Sequence, residues 1–258
     1  MGPYQYIQII YTLILFILTI IIGILYWKKN RVEGFQQVGN NYIFYHIYCN
    51  DKTSATVKDQ VTKIIFSPLY KSIKTVYCFL TGDPSEIVNI KSLLSTYSSK
   101  FQVVAEGPGD TTYERFTLLK IKNYIKSEDK FLYIHTKGIS STKSVDSIYW
   151  WRNYMEYFLI ANGLECISLL NKYDIVGVAF STFIIGPHYS GNFWWSTGKY
   201  YLSLPSEIGP AYNDTESYIF IKNPKYKVLD DKRFNNIPAG SDLNLYENTI
   251  YYKEYLDG

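Results

Sequence analysis

Between residues 42 and 180 the chain alternates short apolar runs with amphipathic stretches, and this alternation constrains its fold more than any other feature. Runs rich in β-branched and aromatic residues occur at Tyr42–Tyr48, Thr75–Leu80, Phe101–Ala105, Phe131–His135 and Asp174–Ala179. Helical patterns lie between them at about 57–71, 84–98, 112–126 and 146–171. Apolar strands separated by amphipathic helices predict an α/β domain whose sheet is mostly parallel and covered on both faces. After residue 180 the regularity gives way to glycines, prolines and aromatics, with a short helix expected near 214–222. The domain at 42–258 thus divides into an α/β half (42–180) and a loop-rich half (181–258). Ligands of open α/β sheets collect at the carboxyl ends of the strands, so the polar residues there are the candidates for function.

Charge narrows the range of partners. The 258 residues include 26 basic and 23 acidic side chains, and Lys28, Lys29 and Arg31 carry the whole surplus. A body that is neutral from residue 32 onward argues against a nucleic-acid-binding domain. With 47% apolar residues and 3 cysteines, neither a disordered chain nor a disulfide-stapled one fits.

The residues before the domain form a short flank (1–6), an uncharged apolar run (Ile7 to Trp27) and a basic linker (28–41). At 1.5 Å per residue the run would span roughly 30 Å, the hydrocarbon core of a bilayer, and aromatic residues flank it. The expectation is a single transmembrane helix. Its basic C-terminal flank places the large domain in the cytosol by the positive-inside rule. A Golgi- or ER-lumenal domain is the alternative, in which the sequon Asn213-Asp214-Thr215 would be open to glycosylation.

At the strand ends, the first run closes on Tyr48-Cys49-Asn50-Asp51, a polar turn where a base and ribose can bind, although Asn-Asp is also an ordinary turn. The third leads through Gly107-Pro108-Gly109-Asp110 to Glu114-Arg115; its glycines permit close approach of a ligand. The fourth delivers His135-Thr136-Lys137-Gly138, in which His135 can ligate a metal or contact a phosphate and Lys137 can neutralise a diphosphate. His188, Ser190, Asn192, Trp194 and Trp195 crowd around Gly191, with aromatic faces suited to sugar rings and polar groups suited to directional hydrogen bonds. Asp214 and Glu216 open the last short helix. Asp214 can serve as its cap, and Glu216 is a candidate general base.

Four blocks carry a family resemblance: Tyr113-Glu114-Arg115-Phe116-Thr117-Leu118, Leu132-Tyr133-Ile134-His135-Thr136-Lys137-Gly138, Trp151-Arg152-Asn153-Tyr154-Met155-Glu156-Tyr157, and His188-Tyr189-Ser190-Gly191-Asn192-Phe193-Trp194-Trp195. Over about residues 42–225 the chain resembles the GT-A-fold (Rossmann-like) glycosyltransferase domains of large DNA viruses of the chlorovirus type and of bacterial polysaccharide synthesis. The resemblance implies an inverting hexosyl- or deoxyhexosyltransferase that binds a nucleotide-diphosphate sugar and a glycan acceptor. It implies a donor set of Tyr48, Asn50, Glu114, Arg115, His135 and Lys137. The acceptor set would be His188, Ser190, Asn192, Trp194 and Trp195, and the base Glu216 or Asp214. Such enzymes usually carry Asp-x-Asp after the fourth strand to hold Mn²⁺ or Mg²⁺, and here His135-Thr136-Lys137 stands in that place. Either another group holds the ion, with His188 and Asp110 the candidates, or Lys137 partly replaces it. The alternative reading is a binding protein of the same fold without turnover.

Overall fold

A computed structural model of the chain describes residues 39–107, 114–139, 145–183 and 185–229, together with Gly2, Tyr4 and 17–21. Residues Met1–Val38 and Gly39–Gly258 are separate compact units. The strands of the second unit are Asn41–Cys49 (β1), Ile73–Gly82 (β2), Phe101–Gly107 (β3), Lys130–His135 (β4), Ile175–Gly177 (β5), Phe180–Ser181 (β6), His188–Tyr189 (β7), Trp194–Thr197 (β8) and Tyr226–Val228 (β9). Seven of them form a mostly parallel sheet in the order β3-β2-β1-β4-β8-β5-β9, while β6 and β7 pair as a small antiparallel ribbon. All five expected strands form. The two long ones, β1 and β2, are buried along most of their length because helices cover one face and an aromatic layer the other.

Helices pack where the pattern placed them, with different ends. Thr53–Phe66 (α1) stops at Pro68, which forces Ser67 into an extended conformation and leaves a 3₁₀ turn at Pro68–Lys71. Pro84–Ser95 (α2) is capped by the Asp83 carboxylate, which accepts from the amides of Ser85 and Glu86. The pattern at 112–126 yields only Arg115–Leu118 (α3) and a 3₁₀ turn at Ile121–Asn123, while 112 and 113 lie outside the described residues. The stretch at 146–171 is not one helix. Val145–Glu156 (α4) runs into a π-helical turn at Tyr157–Ala161 and then into Gly163–Leu169 (α5). The widened turn directs carbonyls to new donors: the Trp195 indole donates to Leu159 O at 2.8 Å and the Cys166 thiol to Phe158 O at 3.4 Å.

The pattern did not reveal β8. It enters the sheet antiparallel between β4 and β5, with Tyr133 opposite Trp194 and Leu132 opposite Trp195. Both indoles are fully buried, Trp195 among the aliphatic residues on one face and Trp194 in the aromatic layer on the other. Gly198–Ser203 (α6) and Asp214–Ser217 (α7) follow.

The expectation of a single-pass membrane protein, and with it the cytosolic placement read from the flank of the apolar run, is not met. No helix among the described residues is long and apolar enough to cross a membrane. Within Ile7 to Trp27 only 17–21 are described, and the basic cluster Lys28, Lys29 and Arg31 lies outside the described residues.

Candidate functional site

Strands β1, β2 and β3 step outward in one direction, and β4 then returns to the free side of β1. The strand order therefore reverses between β1 and β4, and their carboxyl ends flank a crevice of the kind that takes ligands in open α/β sheets. The two ends are tied together. Thr136 N donates to His46 O at 3.0 Å and Tyr48 N to Thr136 Oγ1 at 2.9 Å. A tight turn follows, with Lys137 N donating to His135 O at 2.8 Å and Gly138 at φ +79°, where a Cβ would lie 2.2 Å from Ile148. That turn presents Lys137 beyond the strand.

His46 and His135 sit side by side in register on the aromatic face. Nδ1 of His46 is 2.8 Å from Thr117 Oγ1, and Nε2 of His135 donates to Gly191 O at 2.9 Å. Burial lowers both, His46 to about 4 and His135 to about 3; the Lys137 charge presses His135 further the same way. Both rings are neutral at neutral pH, so the 3.5 Å approach of His135 Nε2 to Glu114 is not an ion pair there. His135 brings no positive charge to the crevice. Its ring fixes the Gly191 loop instead.

These depressed values carry a pH signature. An imidazole protonated more readily in the unfolded chain (6.5) than in the fold contributes stability at neutral pH. That stability is lost as pH falls below 6.5 towards 4 and 3. With each pH unit across that window worth about 1.4 kcal/mol per imidazole, several kcal/mol should disappear by pH 4. Urea midpoints measured from pH 7 to pH 4 should fall for the wild type and fall less for His46→Asn, which keeps a polar atom near the Nδ1 position. Parallel pH profiles for the two would place a charged His46 in the fold.

Glu114 is the hub of the aromatic side. Its Oε2 accepts from Tyr133 Oη at 3.2 Å and from Asn192 Nδ2. Asn192 is fully buried at φ +57°, accepts from the Trp194 indole at 2.7 Å and reaches Thr215 O at 3.4 Å. One carboxylate thereby joins β4, the turn before β8 and α7.

This arrangement corrects the expected acceptor set. Trp194 and Trp195 have no exposed face for a sugar, and Asn192 has its amide engaged on both sides. His188 is buried; Nδ1 donates to Gly186 O at 2.8 Å and Nε2 lies 3.3 Å from Ser190 Oγ. Of the five, only Ser190 is half-open. In the donor set, Arg115 donates to the carbonyls of Gly209 (2.7 Å) and Ala211. Asp214 accepts from Ala211 N at 2.7 Å. Both side chains clamp the 209–211 loop that precedes α7. Asn50 closes its own turn through Lys52 N and Thr53 Oγ1 and reaches Ile139 O at 3.4 Å. Tyr48 remains half-buried at the crevice. Asp110 lies outside the described residues, and among the described residues no His, Cys, Asp and Glu group has the arrangement to hold a metal.

Lys137 and Glu216 remain, and they meet. Nζ is 3.7 Å from Oε1, with the side chains 25% and 19% exposed. A cation from the end of β4 thus meets a carboxylate from α7, each partly solvated and neither enclosed.

Sequence reasoning did not single out the polar cluster on the other face of β4, where Lys63 bridges Asp59 (2.7 Å) and Glu156 (2.6 Å). A signal was present: Gln60 interrupts the apolar helical stripe Val57, Val61, Ile64.

Comparison with solved structures returns distant likenesses. HddC from Yersinia pseudotuberculosis is 11% identical at TM-score 0.45, over 74% of this chain and 89% of that one. The 4-diphosphocytidyl-2C-methyl-D-erythritol synthase of Anaerococcus prevotii is 13% identical at 0.42, over 84% and 97%. The glycosyltransferase GlyE of Streptococcus pneumoniae is 14% identical at 0.38, over 74% of this chain and 46% of that one. With TM-scores below 0.5, these likenesses bear on no residue or activity of this chain. The comparison with curated proteins returns no match. A family model does match, over residues 44–217, a span that runs from β1 to the last residue of α7 and takes in His46, Lys137 and Glu216; the chain belongs to the family described as a domain of unknown function, DUF8361.

Proposed function

We propose that this domain is a glycosyltransferase of GT-A type, moving a sugar from a nucleotide-diphosphate donor to a glycan hydroxyl. The observation that carries the reading is the Lys137–Glu216 pair at the β1/β4 switch point. Glycosyl transfer with inversion needs a base for the attacking hydroxyl and positive charge for the departing diphosphate. The two residues supply one of each, 3.7 Å apart beyond the end of β4. The family resemblance of the strand-end blocks supports the same assignment. So does the sheet, whose parallel strands give way to antiparallel β8 beside β4.

In this reading the donor lies over the ends of β1 and β4, with Tyr48 beside the nucleoside and Lys137 on the diphosphate. Glu216 takes the proton of the acceptor hydroxyl as its oxygen bonds to the anomeric carbon; the bond to the diphosphate breaks, and the nucleoside diphosphate leaves against Lys137. A divalent ion would add Lewis acidity at the same phosphate oxygens, although the described residues provide no ligand cluster for it.

Thermal unfolding of the full chain with UDP-, GDP- and dTDP-sugars, in Mn²⁺ and then in EDTA, tests the donor site. A donor at 100 times its dissociation constant should stabilise the fold by about 2.7 kcal/mol. A shift confined to one nucleotide family is the expected result. A well-folded sample that responds to none would overturn the assignment.

A further inference from the structure

The helix-covered face of the sheet carries a group of buried charges that the proposed reaction does not use. Lys63 and Arg152 are 7% and 6% exposed, Glu156 is 2%, and Gln60 is fully enclosed. Lys63 pairs with Asp59 and Glu156, and Arg152 lies 3.7 Å from Asp59 and 3.5 Å from Glu156. Gln60 donates through Nε2 to Glu156 Oε1 at 2.8 Å and accepts through Oε1 from Tyr45 Oη at 2.6 Å. Tyr149 covers the group, its ring 5.5 Å from Lys63 Nζ and 5.7 Å from the Arg152 guanidinium.

Buried ion clusters are poor stabilisers, because desolvating each charge offsets most of the attraction, and well-packed apolar side chains commonly do as well or better. An apolar seam was available at this position. The neighbouring residues of α1 and of the α4 segment, Val57, Val61, Ile64, Met155 and Leu159, are all in the aliphatic core. The cluster therefore calls for a reason other than stability, and its outward contacts supply one. Gln60 Nε2 donates to His135 O at 3.4 Å, and Arg152 Nη1 donates to Lys137 O at 3.5 Å. Those two carbonyls bracket Thr136, whose hydroxyl ties the segment to β1.

We infer that the Asp59–Gln60–Lys63–Arg152–Glu156 cluster is the positioning device for the segment His135–Gly138, with Arg152 acting through the Lys137 carbonyl to hold the Lys137 side chain in the crevice. The inference rests on the reading of Lys137 as the cation that meets the donor diphosphate. Each contact to the segment is long for a hydrogen bond, so the hold is a shared one: two donors, on two helices, fix one short stretch of backbone from the side opposite the ligand. Arg152 is suited to this because its planar guanidinium lies between two carboxylates while Nη1 reaches the carbonyl.

Removing Arg152 alone leaves Lys63 to balance two carboxylates and risks the fold, so the test uses a charge-balanced pair. The full chain with Asp59→Asn and Arg152→Met keeps the Lys63–Glu156 bridge and removes the reach to Lys137. Its urea midpoint should stay near the wild type, while hydrogen exchange at the Thr136 and Lys137 amides accelerates by about tenfold and that of β2 and β3 does not. The nucleotide sugar that stabilises the wild type should bind about tenfold more weakly, as expected for loss of one charged contact. Unchanged exchange at Thr136 and Lys137 in a folded double variant would overturn the inference. So would faster exchange spread through the whole sheet, since the cluster would then be holding the fold and not the segment. If local exchange accelerates but the wild type binds no nucleotide sugar, the cluster holds the segment and the donor reading fails by itself.

Discussion

Glu216→Gln should lower kcat for sugar transfer by about 10²–10⁴-fold, the usual contribution of a positioned general base. The substitution preserves size and the one-turn helix Asp214–Ser217, whose neighbours are held by Arg115 and Asp214 through the 209–211 loop. Donor binding should survive. Gln removes the negative charge facing Lys137, so the ammonium becomes no less available to a diphosphate. The pair of readouts, turnover with a saturating donor and the thermal shift it induces, separates a transferase from a protein that only binds. A variant that keeps wild-type turnover moves the base away from Glu216. Asp214 is the weaker substitute, because its carboxylate already accepts from Ala211 N.

Trp195→Ala should destabilise the domain by about 3–5 kcal/mol, a large share of the stability of a domain of this size. The indole is fully buried against the aliphatic core, and its N–H satisfies the Leu159 carbonyl in the π-helical turn. Truncation opens a cavity and strands that carbonyl. Trp195→Phe refills most of the space but still leaves the acceptor unmet, at about 1–3 kcal/mol. Urea denaturation of the two variants checks the ordering. Had Trp195 been a sugar platform, the same changes would raise the acceptor KM and leave stability alone.

The contrast between these residues shows what sequence can carry. Five strands and the first two helices were legible because a sheet covered on both faces leaves apolar runs, but the first helix was carried to residue 71, past the stop that Pro68 imposes. Strand β8 was not, since Trp194 and Trp195 point to opposite buried faces and so show none of the period-two alternation that identifies a half-exposed strand. The same pair of aromatics reads equally well as a carbohydrate surface. The placement of Lys137 beyond a strand end and of Glu216 in a short helix was legible. Their meeting was not, because 79 residues separate them in the chain. Arg115 and Asn50 were expected to meet the donor and Asp214 to cap the last helix or act as base, but a polar side chain can turn to a ligand or to nearby backbone. Here each turns to backbone.

The place of β8 in the sheet also sets a timetable. Strands β1 to β4 are complete once His135 has been synthesised, yet the outer edge of β4 finds its partner only when Trp194–Thr197 has emerged. At about 5–20 residues per second that interval lasts roughly 3–12 s on a translating ribosome. For those seconds Lys130–Tyr133 is an unpaired, largely apolar edge, the kind of surface that recruits other chains. Nascent chains of this domain should therefore depend most on chaperone protection between the completion of β4 and the arrival of β8.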